Sequence, residues 1–255
     1  MSDGLTARLR TSLQQRADFA DVLAGSWATL PSRELAERRV YLETDGPVPL
    51  GEMFEVEGEP KGRIRFIGDL AMADRLGAGM TEGEVVVESN LGDESGLALA
   101  GGTMVIEGDV GARAGAAPLG YKRGMTGGEL VVRGSAGPEA GATMRRGLIV
   151  IGKKAGDHTG LGMIAGTVLV FGAAGTDSGL WSKRGTVIAL GRITPPATYV
   201  YACTYQPVHL RLLLTRVGSR YGLPVRPRHL KGFYHRYSGD MAELGKGEIL
   251  TWTAR

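Results

Sequence analysis

Apolar and polar residues alternate in short bursts along residues 62–191, and each burst opens on a glycine. The bursts are seven versions of one ten-residue phrase: GRIRFIGDLA from Gly62, GEVVVESNLG from Gly83, GTMVIEGDVG from Gly102, GELVVRGSAG from Gly128, GLIVIGKKAG from Gly147, GTVLVFGAAG from Gly166 and GTVIALGRIT from Gly185. Successive starts lie 21, 19, 26, 19, 19 and 19 residues apart, a period that marks a stacked-repeat architecture. The β-branched runs read as short strands, and the glycines supply the positive φ of tight corners. Nineteen residues cannot hold a βαβ unit of roughly 30, and the glycine density leaves no room for a helix in each repeat. The expected fold is all-β: a parallel, right-handed β-helix of about seven glycine-rich coils, each strand pairing with its equivalent in the next.

The register follows from period-2 alternation. Third and fifth residues of each phrase, such as Val85 and Val87, Leu130 and Val132, or Val168 and Val170, should point inward. A second inward column, Met80, Leu99, Met125, Met144 and Met163, breaks to Ser182 in the last repeat; methionine in such a column fills core gaps rather than binding a soft metal. The outward fourth residues are Val86, Val105, Val131, Val150, Leu169 and Ile188, and their neighbours turn from polar (Glu84, Glu88) to apolar (Leu148, Phe171, Leu190) along the chain. A solvated face stays polar, so the later strip needs a cover: either the chain's own tail or another subunit.

Three segments result. Residues 1–61 form an N-terminal cap, with an edge or capping strand over residues 5–13, a short helix over 32–38 and strand candidates at 40–42 and 53–56. Residues 62–191 are the repeat. Residues 192–255 are a C-terminal extension: an extended aromatic stretch, then a helix over 210–217 with Leu212, Leu213 and Val217 on one side. One repeat carries seven extra residues between Gly111 and Gly128, a surface loop bearing Tyr121, Lys122 and Arg123.

Composition narrows the function classes. A net charge of +3 does not suggest nucleic acid, and no apolar run approaches a membrane span. The start MSDGLTARLR lacks the apolar core of a signal peptide, which points to a cytoplasmic protein. Cys203 is the single cysteine, so this chain has no internal disulfide and no multi-cysteine metal site. The four histidines (His158, His209, His229, His235) match no metal-ligand spacing. There is no GxSxG elbow, and the GxGxxG-like strings are repeat corners. A polysaccharide-cleaving β-helix would need clustered carboxylates where the outer face is apolar. Neither catalytic residues nor a metal site are expected on this chain.

The glycine repeat with M-x-x-G before each coil, the lead-in phrase LGEMFEVEG running to GRIRFIGDL, and the tail FYHRYSGDMAELGKGEIL resemble the C-type subunits of the formylmethanofuran dehydrogenase family over nearly the whole chain. Those subunits share their β-helix with the C-terminal domain of glutamate synthase large chains, and a spacer role of that kind is one alternative. The resemblance implies two further settings. One is a molybdenum or tungsten formylmethanofuran dehydrogenase. The other is the bacterial formyltransferase/hydrolase complex of one-carbon metabolism and methylotrophic formaldehyde oxidation, in which a formyl group passes from formyl-tetrahydromethanopterin to a methanofuran-type carrier and is hydrolysed to formate. The excess of Arg over Lys, with abundant Ala and Gly, suggests a GC-rich genome and favours the bacterial complex. In either setting the resemblance implies a non-catalytic scaffold. Zinc would lie in an amidohydrolase-like partner, and the other partners would be formyltransferase-like and dehydrogenase-like. The interface expected on this chain is Leu148, Leu169, Phe171 and Leu190. Lys122 and Arg123, with Lys153 and Lys154 at other corners, are candidates for holding the anionic, glutamate-rich tail of the carrier.

Overall fold

The computed structural model describes residues 4–254; residues 1–3, where the polar N-terminal stretch begins, and residue 255 lie outside the described residues. The first segment supplies β1 (Leu5–Leu9), β2 (Ala17–Asp18), α1 (Ser32–Ala36), β3 (Arg39–Leu42), β4 (Gly46–Pro49), α2 (Leu50–Met53) and β5 (Phe54–Glu57). The repeats supply β6 (Arg63–Ile67), β7 (Ala73–Asp74), β8 (Glu84–Val87), β9 (Thr103–Ile106), β10 (Glu129–Val132), β11 (Leu148–Ile151), β12 (Thr167–Val170) and β13 (Arg184–Ala189). The tail adds β14 (Val200–Tyr205), α3 (Val208–Tyr221), α4 (Pro227–Lys231), β15 (Phe233–Gly239) and β16 (Lys246–Thr253). The protein is mostly sheet.

One 12-stranded sheet, ordered β14-β15-β16-β13-β12-β11-β10-β9-β8-β6-β1-β5, runs through all three segments. From β1 to β16 its pairings are parallel, and equivalent repeat positions stand side by side: Met104, Leu130, Ile149, Val168 and Val187 form one row. A second ladder of parallel bridges joins Leu70, Leu91, Val110, Ala136, Ala155 and Ala174, one per repeat. The inward columns, including Met80 to Met163, are all buried in one core. Methionine and glycine are matched between neighbours: a Cβ on Gly185 would lie 2.5 Å from the Met163 sulfur, and one on Gly147 would lie 2.7 Å from the Met125 methyl. The thioethers occupy space that the next repeat leaves by starting on glycine.

At the N-terminal end β1 takes the second of its two expected places, a strand that caps the stack rather than an edge. It pairs parallel with β6 and antiparallel with β5, which becomes the edge. Phe19, Phe54 and Phe66 meet edge to face at 6.0 and 5.8 Å, and Trp27 is buried against Gly83, closing this end of the core. At the other end Tyr199 lies over the stack and donates its hydroxyl to the Gly179 carbonyl at 2.9 Å. Its socket exists because Gly239 has no side chain: a Cβ there would meet the Tyr199 ring at 2.7 Å.

The apolar outer strip is covered by the chain itself. Val105, Val131, Val150, Leu169, Ile188 and Leu250 pack in one cluster with Leu210, Leu214, Val217 and Tyr221 of α3. Leu148, Leu169 and Leu190 are buried there and Phe171 packs against them, so these four residues belong to an internal core rather than to an interface with a partner. The reason is reach. Fourteen residues at about 1.5 Å each span roughly 21 Å, enough for about four strands spaced about 4.8 Å apart. The far end of α3 stops over β10 and β9, where Arg216 and Tyr221 bond Glu129 and Arg220 approaches Thr103. Beyond it the face of β6 and β8 is bare and bears ion pairs, Arg63 with Glu84 and Arg65 with Glu88.

The helix begins and ends outside the 210–217 span, and its buried face is Leu210, Leu214, Val217 and Tyr221. Leu212, expected on that face, is 65% exposed, because residues four and seven apart share a helix side while residues two apart do not. Leu214→Ala should therefore cost about 2–5 kcal/mol, and Leu212→Ala should change stability by less than ~0.5 kcal/mol, measured by denaturant unfolding. Burial, opposed by the nearby Ser182 hydroxyl and aided by Asp240, pushes the Tyr199 phenol up to about 12. Its unfolded value is about 10, so its contribution is complete below roughly pH 10 and is lost as pH rises through about 12. Stability should fall with rising pH across that window. Tyr199→Phe should flatten the slope in alkaline unfolding titrations, with Tyr234 and Tyr205, also pushed up by burial, supplying the remainder.

Candidate functional site

Main-chain geometry fixes where polar side chains stand on the stack. Arg75, Glu94, Arg113, Glu139, His158 and Asp177 occupy one corner of successive repeats, all with φ between 52° and 63°. From Arg75 to His158 their amides bond the next repeat, as in Glu94 N–H to the Ala112 carbonyl at 2.7 Å and His158 N–H to the Thr176 carbonyl at 2.8 Å. From Arg75 to Glu139 the column alternates in charge. Arg113 donates to Glu94 on one side and Glu139 on the other, both at 2.9 Å. Burial opposes its charge, but these bonds outweigh it and hold the guanidinium pKa above its ordinary value. Beside this column, carboxylates clamp the following repeat: Asp93 Oδ1 accepts the Ala112 N–H, and Asp157 Oδ1 accepts the Thr176 N–H, each at 2.8 Å. The Thr176 backbone bond is the main cause of the lowered Asp157 pKa. A Cβ on Gly111 would lie 2.0 Å from Asp93 Oδ1, so the corner glycine makes room for the clamp.

These polar pairs stabilise the stack and offer no nucleophile–base arrangement. His158 stands 3.9 Å from Asp177 at a solvated corner, and Asp157 is engaged by backbone. Among the described residues, no group of three or more His, Cys, Asp or Glu side chains is placed to hold a metal ion. Cys203 is exposed.

The insertion loop forms the wall of an open depression of ≈ 580 Å³. Lys122 and Arg123 meet Tyr121, Trp181, Lys183 and Glu243 there. Lys153 and Lys154 do not line it; they lie on the turn after β11. Among the described residues Lys122, Arg123 and Lys183 have no ion pair, whereas Arg63, Arg65, Arg113 and Arg133 each have an acidic partner. Leu119 is 81% exposed, Tyr121 73% and Trp181 56%, so the cations stand among uncovered apolar side chains.

Neither Trp181 nor Lys183 belongs to a motif that sequence reasoning picks out. Trp181 stands 19 residues after Gly162, in the same left-handed conformation (φ 60° against 61°), at a position that Gly79, Ala98 and Thr143 hold in earlier repeats, so the repeat itself carried the signal: an aromatic residue replaces a small one. It is placed by Asp240, a fully buried residue whose carboxylate accepts the Trp181 N–H at 2.8 Å and the Ala242 N–H at 2.8 Å. In earlier repeats a carbonyl of the following repeat serves this position, as Leu180 does for Gly162. After the last repeat a side chain from the tail takes over.

No family model matches the sequence, and no curated protein matches it. Among solved structures, a chain of the formyltransferase/hydrolase complex from Methylorubrum extorquens, determined by X-ray crystallography in complex with methylofuran, is 32% identical to this one. The alignment covers 98% of this chain and 100% of that chain, with a TM-score of 0.77. No helix among the described residues is long and apolar enough to cross a membrane.

The depression has a directional electrostatic expectation. Of the three tryptophans Trp27 is fully buried, Trp252 is half-buried beneath Arg228, and Trp181 is exposed beside Lys122, Arg123 and Lys183. Iodide should therefore quench Trp181 fluorescence more strongly than caesium, Trp181→Phe should remove the larger share of the quenching, and Lys183→Glu should lower the iodide-to-caesium ratio. Equal quenching by both ions would show that the local field is absent.

Proposed function

Because the chain belongs to the C-type subunits of the formylmethanofuran dehydrogenase family, we propose that it is the non-catalytic scaffold of a cytoplasmic formyltransferase/hydrolase complex. The observation that carries this reading is identity of 32% over 98% of the chain and the whole length of the related chain. In this reading the complex moves a formyl group onto a methanofuran-type carrier and hydrolyses it to formate. Zinc and the reacting groups reside in amidohydrolase-like and formyltransferase-like partners, beside a dehydrogenase-like one. The stacked repeats act as a parallel, right-handed β-helix, a reading supported by the two parallel ladders joining successive repeats. A rigid stack closed at both ends suits a part that holds others at fixed distances.

Lys122 and Arg123, joined by Lys183, are the residues we propose for the anionic tail of the carrier. Support comes from their lack of acidic partners among the described residues and from the apolar side chains around them. Charges of this kind attract a polyanion in a salt-dependent way.

Purification through a tag on this chain should recover the formyltransferase and hydrolase activities together, while the isolated chain should be soluble and turn over nothing. Recovery of the chain without partners would overturn the scaffold assignment. Lys122→Glu with Arg123→Glu should leave the assembly intact and lower its carrier content several-fold at low salt; an unchanged carrier content would remove these residues from the site and leave the scaffold assignment standing.

A further inference from the structure

The two edges of the 12-stranded sheet are finished differently. At one edge β5 carries Glu55 and Glu57, and charge on an edge strand opposes the addition of another strand. At the other, β14 reads Val-Tyr-Ala-Cys-Thr-Tyr with no charged residue and no proline. Five of its six residues are exposed and the sixth is half-buried, so neither face of the strand is covered. Beside it Tyr201, His235 and Tyr237 form an edge-to-face aromatic group with ring separations of 5.9 and 5.8 Å. The outer side of α3, which follows β14 directly, adds exposed Val208 (62%) and Leu212 (65%). Long neutral edges of this kind are templates for strand addition, and proteins that leave them open use them.

We infer that β14 is the docking edge for an extended, charge-poor segment of another subunit, which adds as a thirteenth strand. The inference rests on the proposed membership of a multi-subunit complex, since the related chain was solved within one. Two observations favour a foreign strand over a second copy of this chain. The pairing of β14 with β15 is interrupted between Tyr201 and Cys203, and a twofold pairing through the strand centre would bring two such irregularities face to face. The C-terminal end of β14 also leads into a hollow holding Arg211 and Lys231, neither of which has an acidic partner among the described residues. A carboxylate flanking the incoming segment would complement those cations, whereas a second copy presents no carboxylate in its own β14. Main-chain hydrogen bonds would supply the affinity and the hollow would set the direction.

The test uses the assembled complex purified from its native cells. A photo-activated benzoylphenylalanine placed at Tyr201 should cross-link to one short segment of a different subunit, identified by mass spectrometry. Ala202→Lys, at an exposed position of the strand, should leave the melting temperature of the isolated chain unchanged and weaken retention of that partner by about tenfold or more on dilution. Cross-linking to β14 of a second copy, or a complex that keeps all its subunits with Ala202→Lys and gives no cross-link, would overturn the inference while leaving the proposed function standing. A chain that co-purifies with no partner overturns both.

Discussion

Each repeat depends on the next for its backbone hydrogen bonds. Within a repeat only about four residues form strand, as in Leu148–Ile151, too few to satisfy themselves, and their amides and carbonyls find partners in the equivalent strands on either side. Outside the strands the dependence continues: the amides of Glu94, Arg113, Glu139 and His158 reach carbonyls of the following repeat. Because a buried amide without a partner costs free energy comparable to a lost hydrogen bond, the register of one repeat dictates that of its neighbour. The periodic features follow from this. Glycine recurs where the previous repeat presses a carboxylate or a methionine into the corner, as at Gly111 and Gly185.

A stack of this kind has two ends, and the two are closed by different means. At the start, β1 returns to pair with β6, and a cluster of phenylalanines with Trp27 fills the opening. At the finish, β16 supplies one more parallel strand, Tyr199 seals the core, and Asp240 stands in for the carbonyl that the next repeat would have given. Ser182, which ends the methionine column, belongs to the same closure: it is buried and bonds the Gly160 carbonyl at 3.1 Å, where no later repeat would pack on a thioether.

The outer face shows how chain economy and function divide the surface. One helix of 14 residues covers the apolar half of the face, and ion pairs serve the half it does not reach. With that strip closed internally, the uncovered apolar surfaces lie elsewhere: the depression around Lys122, Arg123 and Trp181, and the neutral edge at β14. The edge is built from the tail alone, whereas the depression joins the enlarged repeat and the tail to Thr143, Gly162 and Trp181 of the regular repeats.

The period by itself determined the stacked strands, the inward columns and the register that places Met104 beside Leu130, because side-chain direction in a strand depends only on parity and parity is visible in the sequence. It also exposed the insertion as a loop. Tertiary structure alone decided what covers Leu148 and Leu169, since the sequence shows that an apolar strip needs a cover without showing which segment supplies it. The same limit left β1 open between edge and cap, because its enclosure rests on a pairing with β5 some 50 residues away, as in Thr6 with Glu57. Trp181 joined Lys122 only in three dimensions, because their proximity depends on stacking successive repeats and on a buried carboxylate from the tail, Asp240. Local pattern fixes what each repeat does, whereas closure and cover depend on contacts distant in sequence.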